Sequence, residues 1–301
     1  MIYKFDQFNE KYSLKSRAQV LEISKEEALA KYAPWYDWDN CTTKMYRAVT
    51  GKMTKPDQIK IIDPSKFKRK ALGRPPFYNL IMSNWEGYPD RSKSVICSTK
   101  DKKLDLFGSL VYRVIPMEEN SKVAFAPISD VWASFNKYCA EKVREYGINL
   151  KYNPSDFGDD ISRYFFPDLK VKGSKIQNIT LEEFERVVRS KGDSDLNMKR
   201  SFSSTRFTDG NKINFFKSIK DNKPVSPTYG EQTTHKEKFF KDYKDIWEFF
   251  VDAYDPNKNG FELLEYNNES SPDASRLRSN HHNGLECWTD APCLMIYEGF
   301  S

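Results

Sequence analysis

Histidine and cysteine are scarce in this chain, with 3 and 5 occurrences in 301 residues. The cysteines are Cys41, Cys97, Cys139, Cys287 and Cys293. Their number is odd, their spacing is wide, and no C-x-x-C occurs. That excludes a disulfide framework or a cysteine zinc site and points to reduced thiols in a cytosolic-type compartment. Three histidines are too few for a histidine-rich metal centre. His281 and His282 are adjacent, so on a strand they would point to opposite faces, and they read as a solvated pair in a polar loop. No apolar run approaches the ~18 residues of a membrane span. Met1 to Tyr12 holds no apolar h-region, so no secretory leader is expected. P-loop, G-x-G-x-x-G, H-E-x-x-H and G-x-S-x-G patterns are all absent, which removes several common enzyme classes.

Aromatics, in contrast, are plentiful. The chain carries 21 Phe, 17 Tyr and 6 Trp, although its mean hydropathy is only −0.74. A disordered chain would lack so many rings, and 301 residues can bury a sizeable core. The balance of 48 Lys and Arg against 43 Asp and Glu leaves a charge of +5. Such a charge permits contact with nucleic acid or an acidic partner and requires neither. Lys66-Phe67-Lys68-Arg69-Lys70 is the densest cationic cluster. A solvated edge is favoured there over a phosphate-contacting patch.

Residues 1–40 read as an N-terminal lead-in. Within it, Ser24 and Glu27 form a capping box that starts a short helix. Strand-like runs follow at Met45–Val49, Lys93–Ser98, Leu110–Ile115 and Lys122–Ala126, punctuated by Gly51, Pro116 and Pro127. From about 128 the period changes. Trp132, Phe135, Cys139, Val143 and Tyr146 recur at helical spacing. Thr180 and Glu183 open a second helix, expected to end near Gly192. Residues 193–234 read as a long surface loop. Residues 236–254 form the strongest amphipathic pattern. Strands return at Phe261–Leu264, Leu285–Trp288 and Cys293–Tyr297. Asp255 to Gly260 begins like a calcium loop, but Tyr266 stands where a bidentate Glu is required, so a polar turn is the better reading.

Three of the strands carry polar residues whose order points to one chemistry. Tyr46-Arg47 comes first, then Cys97-Ser98-Thr99, then Glu286-Cys287-Trp288. A guanidinium such as Arg47 can hold a pyrophosphate bidentately. A hydroxyl such as Ser98 can orient a carboxylate or a ribose. A carboxylate such as Glu286 can stabilise the oxocarbenium-like centre formed when nicotinamide leaves the anomeric carbon of NAD. Tyr46, Phe107 and Tyr112 are rings able to stack on nicotinamide, with core packing the favoured alternative.

This order, Tyr-Arg, Cys-Ser-Thr, Glu-Cys-Trp, resembles the Arg–Ser–Glu mono-ADP-ribosyltransferases. The stretches Arg91–Thr99, Tyr112–Pro116 and Glu286–Leu294 look like segments of phage-encoded members. The resemblance implies an α+β fold: two packed antiparallel β-sheets forming a split β core with a large helical insertion at about 128–255, all within one domain over 41–301. It implies transfer of ADP-ribose from NAD to a protein or nucleic-acid acceptor. Glu286 would be the catalytic residue, and Arg47, Ser98, Thr99 and Tyr46 would bind NAD. It further implies host partners, with the host cytoplasm as location and the virion as a second one. Family members usually carry Gln or Glu two residues before the catalytic Glu. Here that position is Gly284, which leaves the acceptor open. The alternative is a non-catalytic phage structural or host-interaction protein on a degenerate transferase-like fold.

Overall fold

The computed structural model describes residues 18–49, 58–66, 77–101, 110–129, 131, 180–193, 242, 246–273 and 284–300. The chain divides into two compact units. One comprises Met1–Leu72, Met82–Val131 and Asn259–Ser301, and the other comprises Gly73–Ile81 and Trp132–Lys258.

The first unit is built on one antiparallel sheet of nine strands. They are β1 (Ala18–Leu21), β2 (Met45–Val49), β3 (Ile59–Ile62), β4 (Val95–Ser98), β5 (Leu110–Pro116), β6 (Ser121–Phe125), β7 (Glu262–Tyr266), β8 (Glu286–Thr289) and β9 (Cys293–Phe300). Their order in space is β1-β3-β9-β5-β2-β4-β8-β6-β7. The expectation of a mixed α and β chain therefore holds, with all nine strands hydrogen-bonded into a single sheet. Its thinnest seam lies between β2 and β4, where only Tyr46 and Ser98 are in register.

Two strands fall outside the expected set. β1 and β3 pair with each other over four positions, so Ala18–Leu21 is an edge of the sheet. β4 is shorter than expected, because Arg91–Lys93 forms a 3-10 turn in which the Ser92 N–H is capped by the Asp90 side chain. β5 is buried at all seven positions, as suits a strand flanked on both sides by others. Between β5 and β6 the chain reverses through Asn120 at φ 62, a left-handed conformation that Asn tolerates better than most residues.

Side chains alternate along each strand, and directly paired residues share a face. Met45, Tyr112, Val114, Cys97, Cys287, Phe125 and Met295 lie on one face and form the centre of the main core. Helix α1 (Lys25–Tyr32) adds Ala28 to that core. The capping box at its start is present, with the Glu27 N–H on Ser24 Oγ at 3.1 Å and the Ser24 N–H on Glu27 Oε2 at 2.9 Å. Cys41, Cys97, Cys287 and Cys293 are buried and are not joined in a disulfide.

The short helix α2 (Phe77–Met82) follows β3 in sequence. Within the second unit, α3 (Leu181–Asp193) runs one residue past Gly192, and the Thr180 hydroxyl accepts the Glu183 N–H at 3.1 Å. Helix α4 spans Ile246–Ala253. Phe184 of α3 and Trp247 of α4 meet edge to face at 5.7 Å, and both are buried. The expected helical face between Trp132 and Tyr146, the 193–234 loop, Phe107, Cys139, the His281–His282 pair and Phe67–Lys70 lie outside the described residues. Lys66 is described, and it pairs with Asp63 at 3.1 Å. Among the described residues no helix is long and apolar enough to cross a membrane, and no group of three or more metal-ligating side chains occurs.

Candidate functional site

The three motif strands are consecutive in the sheet, in the order β2, β4, β8. Tyr46 is in register with Ser98, and Ser98 with Glu286. One row of side chains thus crosses three strands on the same face. It continues onto β5, where Arg113 is in register with Tyr46.

Glu286 is 7% exposed, so burial sets its surroundings. Its Oε1 accepts two bonds from Arg91, Nε at 2.8 Å and Nη2 at 2.6 Å. Its Oε2 accepts the Val131 backbone N–H at 2.9 Å. The backbone of Glu286 is equally fixed: its carbonyl accepts from the Ala126 N–H, and its N–H donates to the Ile128 carbonyl, both at 2.8 Å. Arg91, 4% exposed, is supplied by the turn just before β4. A lone arginine in a loop has no periodicity to mark it, so only the pairing reveals its place.

Ser98 and Thr99 hold the end of this β4–β8 ladder. Ser98 Oγ accepts the Lys100 N–H at 3.2 Å. Thr99 donates its N–H to the Leu285 carbonyl at 2.9 Å, and its Oγ1 accepts the Leu285 N–H at 2.8 Å. Gly284 packs against them with φ +75, and a Cβ built there would lie 2.8 Å from Ser98 Oγ and 3.0 Å from the Lys100 nitrogen. Both the left-handed backbone and the close approach oppose a side chain at this position.

Arg47 and Tyr46 part company. They are neighbours on β2, so they point to opposite faces. Tyr46 shares the Ser98–Glu286 face. Arg47 shares the face of Tyr112, with which it is in register. The expectation that Arg47, Ser98 and Glu286 converge on one surface is not met, for this reason of strand alternation. Instead the Arg47 guanidinium reaches across the thin β2–β4 seam, with Nη1 on the Ile96 carbonyl at 2.7 Å.

The arginine that does share the row is Arg113. Its guanidinium lies 3.8 Å over the Trp38 ring and 5.9 Å from the Tyr46 ring centre. It donates to the Trp38 carbonyl at 2.6 Å and pairs with Glu298. Burial raises the Tyr46 phenol above its ordinary range, and Glu298 and Asp101 add to that while Arg113 opposes it. Tyr112 is fully buried, in agreement with its favoured assignment to the core.

Comparison with known protein families, with curated proteins and with solved structures finds no match for this chain.

Proposed function

We propose that the chain is an NAD-dependent mono-ADP-ribosyltransferase, with Glu286 as its catalytic carboxylate and Ser98, Thr99 and Tyr46 as NAD-contacting residues; Arg47, on the opposite face of β2, is left out of that set. The observation that carries this reading is the row Tyr46–Ser98–Glu286 across three neighbouring strands. Residues far apart in sequence, with the polarity needed to hold a ribose beside a carboxylate, share one face. In the reaction the bond between the anomeric carbon and the nicotinamide nitrogen breaks, and its electron pair leaves with neutral nicotinamide. Glu286 stabilises the positive charge left on the ribose. A nucleophile of the acceptor then bonds to the anomeric carbon and releases its proton. The acceptor class is a host protein side chain or a nucleic acid, and the site of action is the host cytoplasm or the virion.

A split core is part of the same proposal. β5 and β6 are joined by residues 117–120, and β8 and β9 by residues 290–292, yet each pair stands four strands apart in the sheet. In a flat sheet four spacings amount to ~19 Å, while a three-residue link reaches only ~14 Å fully extended. A sheet folded over at the seam meets that constraint, and this supports two packed halves. The Met117 N–H to the Pro292 carbonyl, 2.9 Å, ties the two turns together.

The second reading, a non-catalytic structural or host-interaction protein, is favoured by the Arg91 ion pair on Glu286 and by Arg47 facing away from it. Nicotinamide release and transfer of labelled ADP-ribose into host lysate decide between them. The transferase reading expects both activities, and their loss in a Glu286→Gln variant whose near-ultraviolet circular dichroism shows that it still folds. Release that survives Glu286→Gln removes Glu286 from the mechanism. No NAD binding at all establishes the second reading.

A further inference from the structure

We propose that Arg91 is the positioning residue of Glu286, an assignment that rests on the transferase reading. Four observations carry it. First, the pair is buried on both sides, at 4% and 7% exposure, so solvent does not set the carboxylate's orientation. Second, the hydrogen bonds are asymmetric. Oε1 receives both Arg91 donors, whereas Oε2 receives the single Val131 N–H. A carboxylate oxygen offers about two acceptor sites. Oε1 is thereby saturated and Oε2 retains one site, which makes Oε2 the oxygen left to accept a ribose hydroxyl.

Third, the segment that carries Arg91 is staked at several points. Asp90 Oδ1 accepts the Ser92 N–H at 2.9 Å and the Ser92 hydroxyl at 2.6 Å, and the Asp90 carbonyl accepts the Ser94 hydroxyl at 2.7 Å. The Trp288 indole N–H donates to the Pro89 carbonyl at 2.9 Å, from the same strand that carries Glu286. Fourth, the geometry is a fork. Nε and Nη2 together define a plane and a direction, which a single ammonium does not. Arg91 acts through Glu286 and not on NAD itself.

The test uses the full chain with NAD, and compares the wild type with Arg91→Lys and Arg91→Met. Nicotinamide release gives kcat and KM, direct titration gives the NAD dissociation constant, and near-ultraviolet circular dichroism reports folding. A positioning role predicts that Arg91→Lys, which keeps the charge and loses the fork, folds normally. Its kcat falls by about tenfold or more while NAD affinity stays within about twofold. Arg91→Met falls further in kcat, so lysine rescues part of the loss. A folded Arg91→Lys with unchanged kcat overturns the proposal. So does a raised KM with unchanged kcat, since that places Arg91 on the substrate. A wild type that neither binds nor cleaves NAD overturns the transferase reading itself, and this assignment with it.

Discussion

Arg91 and Lys60 are both 4% exposed, yet the fold surrounds them in opposite ways. Arg91 meets a carboxylate through a fork of two hydrogen bonds. Lys60 meets a phenol: its ammonium lies 3.2 Å from the Tyr112 hydroxyl and 4.7 Å from the centre of the same ring. Among the described residues no carboxylate pairs with it. Burial accordingly pushes the Lys60 amine down to about 8. The two sites also stand on different strands of the sheet, Lys60 on β3 beside an edge strand and Glu286 on β8 among interior ones. A buried cation with a matched anion keeps its charge and fixes a geometry. One buried without an anion gives up part of its hold on the proton, because burial disfavours the charged form.

The comparison breaks most sharply at Arg91. Arg91→Met leaves a buried carboxylate without its partner and is expected to lower stability by about 3–5 kcal/mol. Replacing both partners, Arg91→Met with Glu286→Leu, is expected to restore most of that loss. Chemical denaturation of the two variants measures the difference. If the double variant is no more stable than the single one, the pair is not an isolated electrostatic unit.

Lys60→Met is expected to act in the opposite direction. The folded-state value of about 8 lies below the ordinary 10.5, so above pH 8 the unfolded chain holds a proton that the folded chain has lost. Stability from this group therefore rises as pH climbs from about 8 to 10.5, and its penalty is fully present below 8. The variant should be more stable than wild type at pH 7, by on the order of 2 kcal/mol, with the gap closing by pH 10.5. Thermal unfolding of both proteins across that pH range checks the sign.

Gly284 tests the same ladder sterically. Gly284→Ala is expected to lower stability by about 1–3 kcal/mol, because a left-handed φ and a 2.8 Å approach to Ser98 Oγ both oppose a side chain. Displacement of the backbone amide signals of Ser98, Thr99 and Leu285 should accompany it. The smallest effect is expected at the first helix, away from both buried cations. Ser24→Ala removes one half of the capping box and should lower stability by about 1 kcal/mol in a denaturant titration.

Much of this fold is legible along the chain. The runs at Met45–Val49, Leu110–Ile115 and Cys293–Tyr297 are apolar and punctuated, and they become strands. Ser24 with Glu27, and Thr180 ahead of Glu183, mark helix starts because capping is a local interaction between residues three apart. Ile59–Ile62 is only four residues long, with a lysine at its second position, and its membership in the sheet depends on β1 and β9 beside it. The site divides in the same way. Glu286, Ser98 and Tyr46 stand out as polar residues on or beside strands, whereas Arg91 sits in a turn with no periodicity to mark it.

By itself the sequence determined seven of the nine strands and the helix starts at Ser24 and Thr180, because hydrophobic runs, turn residues and caps act over a few positions. Only the tertiary structure decided the strand order that sets Ser98 opposite Glu286. It also brought Arg91 onto Glu286 from 195 residues away in sequence and left Lys60 with a ring in place of a carboxylate. Those outcomes depend on which strands become neighbours, and pairing between distant segments is fixed by the burial of the whole sheet, not by any local pattern.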